Sequence, residues 1–268
     1  MQAFDYDCPT SVAALASALN QGSDDKLLAG GQSLLAAMKM GLMQPQRLID
    51  LQAIAELQSI HLNQDTLHIG AMSTHATIAN SGLIAGFALG ICELAAHIAD
   101  AQIRNRGTIG GSLANYDPAA CWPAGILALG ATLHTPSRSI AADEFFVDLF
   151  TTALAPNELL TGLSCSKPQR FAYVKFEQAA SRFALVGVAV AQFNDAVRVA
   201  VTGTSQGVVR LKAFEAALSR KFSISAIAEL TVDETLMGSD IHAQADYRAH
   251  LAALGVRRAV QQCLKGSQ

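Results

Sequence analysis

The chain has 268 residues, of which 51% are apolar, only 6% aromatic and 15% charged, and 48 are alanine, so its hydrophobicity rests on the smallest side chain. Charge is too low and apolar content too high for a disordered chain, and no run reaches the roughly 18 apolar residues of a membrane helix. A net charge of −3 from 19 basic and 22 acidic residues, interspersed, leaves no basic stripe for nucleic acid and no charged tail. The amino terminus carries Asp5 and Asp7 where a secretory signal needs a basic start and an apolar core, so the sequence is read as that of a soluble cytoplasmic protein. The five cysteines, Cys8, Cys92, Cys121, Cys165 and Cys263, are odd in number, with no C-x-x-C spacing. A zinc ribbon, a cluster bound by this chain alone or a disulfide framework is therefore not expected.

In chain order, Pro9-Thr10-Ser11 is a helix-start signal, followed at helical spacing by Val12, Leu15, Ala16 and Leu19. A short apolar strand is predicted over 26–29, a helix over 34–40 and a second strand over 47–51, which together form a small parallel βαβ unit. From Ile60 the period is two, and a hairpin is predicted around Asn63-Gln64-Asp65. Helices over 74–80 and 86–100 lead to a glycine-rich loop over 106–112, then to a helix over 119–129 and a strand over 131–134. Three strands are predicted over 171–176, 184–193 and 197–202, rich in valine, with Asn194-Asp195 as a turn. Helices follow over 211–218, 225–230 and 245–264. The chain thus reads as α+β: a two-part domain over 1–165, with lobes of about 1–55 and 56–165, then a C-terminal three-stranded sheet with helices over 166–268. The boundary is placed where turn residues cluster, at Cys165-Ser166-Lys167-Pro168.

Two motifs carry chemistry. Ala29-Gly30-Gly31-Gln32-Ser33-Leu34 sets a glycine pair between a strand and a helix, where backbone N–H groups can converge on an anion and the helix dipole assists. Thr108-Ile109-Gly110-Gly111-Ser112-Leu113-Ala114-Asn115 repeats that grammar with hydroxyl side chains on either side. Two such loops suit a diphosphate held by neutral donors. Neither fits the G-x-G-x-x-G of a Rossmann site. His75 reads as a structural or helix-capping residue, Trp122 as a buried anchor, and Met38, Met40 and Met43 as core or interface packing. The seven histidines show no metal-ligand spacing, and no nucleophile motif appears, so neither a catalytic residue nor a metal site is assigned.

These loops, with Ile69-Gly70-Ala71-Met72-Ser73-Thr74-His75, Ile103-Arg104-Asn105-Arg106-Gly107, Asp117-Pro118-Ala119-Ala120, Asp240-Ile241-His242-Ala243, Tyr247-Arg248 and Arg257-Arg258, resemble one family over nearly the whole chain. It is the FAD-binding medium subunit of molybdenum hydroxylases, the group of carbon monoxide dehydrogenase and xanthine dehydrogenase. The resemblance implies that Leu27, Leu28, Ala29, Gly30, Gly31, Gln32, Ser33 and Leu34 wrap the FAD diphosphate, with the cofactor-binding Lys26 just before them. It implies a second wall from Thr108, Gly110, Gly111 and Ser112 with Asn115 behind, apolar lining from Ile98 and Leu160, and Phe183 against the isoalloxazine ring. Two positions depart from the family pattern: Cys121 stands where an aspartate is usual, and Phe183 where close relatives have tyrosine. Cys121 cannot supply a carboxylate, so a backbone group or Asp117 compensates, or FAD binding is altered; Phe183 keeps stacking without the hydroxyl.

The resemblance further implies an electron-transfer subunit that works with a large molybdopterin subunit and a small iron–sulfur subunit and delivers electrons to an acceptor such as NAD, quinone or oxygen. Two other readings stay open at this point. One is a free-standing FAD-dependent oxidoreductase of the same fold, and the other is a flavin-free interaction subunit.

Overall fold

The computed structural model describes residues 3–19, 24–156 and 158–266. The first lobe is the expected parallel unit. Strands β1 (Asp5–Asp7), β2 (Asp25–Leu28) and β3 (Arg47–Asp50) lie in the order β1-β3-β2, with helices α1 (Val12–Leu19) and α2 (Leu34–Lys39) as crossovers. Ser11 starts α1 by accepting the Ala14 N–H at 3.1 Å. Leu15 and Leu19 then pack on Ile49, Leu51, Ile54 and Leu57, all fully or almost fully buried. Arg47 and Asp25, directly opposed in the β2–β3 register, form an ion pair. β1 was not expected: Asp-Tyr-Asp is polar and exposed, and it joins the sheet through its backbone and through Tyr6, whose hydroxyl donates to Asp50 Oδ2 at 2.8 Å.

The second lobe is built on a five-stranded antiparallel sheet. The predicted hairpin is β4 (Ile60–Asn63) and β5 (Thr66–Gly70), turning at Gln64 in left-handed backbone. Helices α3 (His75–Ala79), α4 (Gly82–Ala96), α5 (Ala101–Arg106), α6 (Ile109–Asn115) and α7 (Trp122–Leu129) follow. Next come β6 (Thr132–His134), β7 (Ser139–Ala141), α8 (Ala142–Phe145), the small pair β8 (Phe146–Asp148) and β9 (Thr151–Thr152), and β10 (Gly162–Ser166). The sheet order is β4-β5-β10-β6-β7, with β10 between strands distant from it in sequence. Cys165, placed by its sequence in a turn-rich boundary, therefore lies inside a central strand and is buried.

The 106–112 segment also differs from its expected loop. Its second half is the first turn of α6, capped by Thr108 Oγ1, which accepts the Gly111 N–H at 3.1 Å. The histidines that look scattered in the sequence are partly gathered by strand pairing. His61 and His68 stack at 4.8 Å across the β4–β5 pair, and His134 lies 6.3 Å from His68.

The C-terminal sheet has four strands rather than three: β11 (Arg170–Glu177), β12 (Ala184–Gln192), β13 (Val197–Thr204) and β14 (Gly207–Arg210), an antiparallel meander. The fourth is four residues long and follows a hairpin with Gly207 at φ +91°, which hides it from a search for alternating apolar runs. Val186, Val188, Val190, Val199 and Val201 face α9 (Lys212–Arg220) and α10 (Ala245–Lys265). Ala189, Ala191 and Ala200 face the other way, into the core that contains α7. α7 itself is buried on every residue, which is why it reads as apolar all round. Alanine on this sheet face lets a fully buried helix lie close to the strands. Met38 is in the core, whereas Met40 and Met43 are exposed. Among the described residues no helix is long and apolar enough to cross a membrane.

Polar ties lock the C-terminal sheet to the preceding part. Arg198 donates to the Leu127 carbonyl at the end of α7 and pairs with Asp143, which Arg210 also reaches at 3.0 Å. Tyr116 ends α6 in left-handed backbone, and its hydroxyl accepts the Val208 N–H at 2.9 Å and donates to the Gln206 carbonyl at 3.3 Å. A Cβ on Gly207 would lie 2.2 Å from that hydroxyl, so glycine is required there. Tyr116→Phe strands a buried N–H, and the expected loss is about 1–3 kcal/mol, read as a lower thermal midpoint with unchanged secondary structure. An unchanged midpoint would refute the bridge.

Candidate functional site

The first glycine turn lies where β2 hands over to α2. Gly31 takes φ +74°, a conformation that favours glycine, and turns the chain so that the following N–H groups line up at the start of α2. The N–H groups of Gly31, Gln32, Ser33 and Leu34 have no acceptor among the described residues, and Ser33 makes no capping bond with its own side chain. Gln32 folds back to donate to the Gly30 carbonyl at 3.0 Å. Leu28 is buried beneath the turn, Leu27, Ala29 and Leu34 are half-buried, and Lys26 is exposed on the strand before it.

The second turn is held from below by 71–75. Gly110 donates to the Ala71 carbonyl at 2.8 Å, Ile109 to the Ser73 carbonyl at 3.0 Å, and His75 N–H to the Gly107 carbonyl at 2.9 Å. Ile109, Gly110 and Leu113 face inward, while Gly111, Ser112 and Asn115 share the more open face of α6. Gly110 is thus a packing glycine, because a Cβ there would meet Ala71 Cβ at 2.5 Å. His75 is buried, and its Nδ1 accepts the Trp122 Nε1–H at 3.1 Å. Burial, reinforced by the Arg104 charge, lowers its pKa to about 4, so this histidine is a neutral structural residue.

The fold brings the two turns into contact. A Cβ on Gly30 would lie 2.1 Å from the Arg106 carbonyl oxygen, and one on Gly111 would lie 3.3 Å from Ala29 Cβ. The unengaged N–H groups at 31–34 therefore lie against a second turn whose own N–H groups at 109–112 are taken by Ser73, Ala71 and Thr108, and Ser33 and Ser112 bring a hydroxyl from either turn. That arrangement suits phosphate oxygens, with backbone donors from the first turn and a serine hydroxyl from the second.

A second group of residues lies at the other end of α5. Ala99 takes φ +43°, and the carbonyls of Ile98 and Ala99 both accept from Arg104 Nη1, at 2.9 and 2.8 Å. The hairpin between β11 and β12 closes over this point. Arg182 reaches the Ala99 carbonyl at 3.4 Å, Ala184 N–H reaches the Ala119 carbonyl at 3.4 Å, and Phe183 between them is 53% exposed. The hairpin that carries Phe183 is thereby tied, through Arg182, to the backbone next to Ile98.

Cys121 and Leu160 are each only 5% exposed and belong to the apolar core beneath. Burial pushes the Cys121 thiol up, against the pull of Lys175 and Tyr173. Asp117, the carboxylate four residues before Cys121, accepts the Ala119 N–H at 2.8 Å. Lys175, which sequence reasoning missed, donates from Nζ to the His97 carbonyl at 2.9 Å and so brings a cation beside Ile98. Arg104 was missed as well. Its signal was an arginine two residues before Arg106 in a segment already singled out.

Two opposed glycine turns outside the Rossmann pattern, on an α+β fold, have the form of a phosphate-bearing cofactor site. Residues 2–165 match the family model for the FAD binding domain in molybdopterin dehydrogenase. The chain is 35% identical over 275 residues to the nicotine 6-hydroxylase medium subunit of Paenarthrobacter nicotinovorans, covering 97% of each. It is 33% identical over 274 residues to the carbon monoxide dehydrogenase medium chain of Hydrogenophaga pseudoflava, covering 96% of each. In structure it is similar to a chain of reconstituted CO dehydrogenase from Oligotropha carboxidovorans, with a TM-score of 0.90, 30% identity and 98% of each chain covered. The chain belongs to this family, as an FAD-binding medium subunit of the molybdenum hydroxylase oxidoreductases.

Proposed function

We propose that this chain holds FAD as the electron-transfer subunit of a multi-subunit molybdenum hydroxylase. In this proposal a large molybdopterin subunit oxidises the substrate and a small iron–sulfur subunit conducts the electrons, and the FAD held by this chain would supply the redox step toward NAD or another acceptor such as quinone or oxygen. The observation that carries this reading is the meeting of Gly30 with the Arg106–Gly107 backbone and of Gly111 with Ala29, beside unengaged N–H groups at 31–34.

When bound, the flavin supplies the redox chemistry, and the protein's part is to bind, orient and shield it. In this proposal the 26–34 segment and Thr108, Gly110, Gly111, Ser112 and Asn115 form the two diphosphate walls. Thr108 and Gly110 act from beneath, by capping and by packing. Phe183 covers the ring system from the C-terminal hairpin, and Ile98 lies beside it. Leu160 and Cys121 back the site from the core, and Lys175 brings a positive charge to its edge. The domain carrying both walls is 1–165, in lobes of about 1–55 and 56–165, and 166–268 supplies the cover. We place the complex in the cytoplasm.

The test is the absorption spectrum of the purified full-length chain before and after FAD is added. The two visible bands of oxidised flavin are expected, with saturation at one FAD per chain. A colourless protein without affinity for FAD would overturn the reading. Co-purification of a molybdopterin subunit and an iron–sulfur subunit tests the assembly separately.

A further inference from the structure

β13 leaves β12 early. Their last paired residues are Val188 and Val201, and Gly203 then bends away at φ +85°. The first residues of β12 are therefore laddered on one side only, to β11. Two side chains occupy the open side. Thr202 Oγ1 accepts the Gly187 N–H at 3.1 Å, and the Arg248 guanidinium, from the first turn of α10, donates to the Leu185 carbonyl. A Cβ on Gly203 would lie 2.3 Å from the Leu185 oxygen and 3.3 Å from Arg248 Nη1, so glycine clears the way for this contact.

Arg248 is only 5% exposed, and a buried guanidinium is unfavourable unless its charge and donors are met. Asp240 meets the charge, at 2.6 Å from Nη2, and the Leu185 carbonyl takes Nη1, while Nε is buried without a partner. Its other oxygen accepts the N–H groups of His242 and Ala243 at 2.8 and 3.1 Å, which fixes the carboxylate in place. Burial works against the Asp240 charge, but these amides and Arg248 outweigh it and keep the carboxyl below its ordinary range.

The hairpin on this stem is tied to itself. Gln178 Oε1 accepts the N–H groups of Ala180 and Ser181, and the Phe183 carbonyl accepts the Gln178 N–H at 2.9 Å. Such a unit moves with its stem, and Phe183 is two residues from the carbonyl that Arg248 holds. We propose that Arg248, set by Asp240, is a positioning residue that fixes the start of β12 and thereby holds Phe183 against the flavin. This rests on the reading that the flavin ring lies at Phe183.

The test uses the full-length chain with and without FAD, and compares Arg248→Met, which keeps the stem's packing, with Arg248→Lys, Phe183→Ala and the Phe183→Ala/Arg248→Met double variant. In Arg248→Met, amide exchange over 183–187 is expected to rise at least about tenfold while 171–176 and 188–192 stay protected. The visible circular dichroism of the bound flavin should shift as it does in Phe183→Ala, with nothing added in the double variant. Arg248→Lys should restore part of both signals.

Unchanged exchange over 183–187, a rise spread evenly over the whole C-terminal sheet, or a dichroism change that adds to that of Phe183→Ala would each overturn the proposal. If Phe183→Ala leaves the dichroism unchanged, the ring position is refuted instead, and the exchange result alone decides whether Arg248 holds the stem. Should Arg248→Met fail to fold, Asp240→Asn decides by the same exchange measurement, and wild-type protection there overturns the proposal.

Discussion

Gly30→Ala is expected to lower FAD affinity at least about tenfold, equivalent to 1.4 kcal/mol, and to lower the thermal midpoint. The added Cβ would lie 2.1 Å from the Arg106 oxygen and 2.7 Å from both the Arg106 carbonyl carbon and Gly107 Cα. A carbon–oxygen contact needs about 3.3 Å, so the two turns must part by about 1 Å. No rotamer change relieves this, because all three atoms are backbone. The segment that carries them is pinned by Gly107 N–H to the Ile103 carbonyl at 2.7 Å and by His75 N–H to the Gly107 carbonyl at 2.9 Å.

Overpacking of this kind costs about 1–3 kcal/mol, or roughly 5–10 °C at the upper end for a chain of this order. The same ångström separates the two walls proposed to hold the diphosphate, so binding and stability are expected to fall together. Gly86→Ala, inside α4 where a Cβ meets nothing within 4 Å, is the control: it should leave FAD affinity unchanged and, by removing a helix-interior glycine, raise the midpoint slightly. Gly31→Ala should fall between them, since its clash is with the movable Leu35 side chain and the rest of its cost is positive φ. Wild-type flavin content and midpoint in Gly30→Ala would sink the two-wall site.

That contact shows how far the sequence could be read. Each glycine pair is a local signal, a few residues at the boundary between an apolar strand and a helix, and both turns were legible with the βαβ unit around the first. Their meeting joins residues 76 positions apart, and nothing local records it. The same physics hid β10, whose partners in β5 lie 92 to 100 residues away and whose serines dilute its alternation. α6 was hidden by propensity: two glycines in a first turn argue against helix. The Thr108 cap and the packing of Gly110 on Ala71 form it regardless. Phe183 and Cys121 entered through family resemblance alone. Composition says nothing of a hairpin that leaves one half-exposed and a core that buries the other.

Between pH 6.5 and 4 the fold should lose about 3 kcal/mol that His75→Gln does not lose. In the unfolded chain this imidazole titrates near the ordinary ~6.5. In the fold, burial and then the Arg104 charge lower it to about 4. The unfolded state binds a proton that the folded state refuses, so the contribution is intact above ~6.5 and is lost as pH falls toward 4. The chemistry agrees, because Nδ1 accepts from Trp122 Nε1, and a protonated imidazole would set two donors against each other.

Glutamine keeps an acceptor for Trp122 without titrating. His68 and His134, also lowered by burial, are common to both proteins and cancel in the comparison. The carboxylates held below their usual range, Glu158 at about 2 and Asp25, Asp143, Asp233 and Asp240 with it, lose their contribution only at lower pH, starting from an unfolded value near ~4. Thermal midpoints of the two proteins across this window are the measurement, and parallel curves would refute the assignment. Because the His75 backbone holds the Gly107 carbonyl beneath the second turn, protonation that expels the ring also loosens one wall of the proposed cofactor site. FAD affinity of the wild-type chain should therefore fall over the same interval, and that of His75→Gln should fall less.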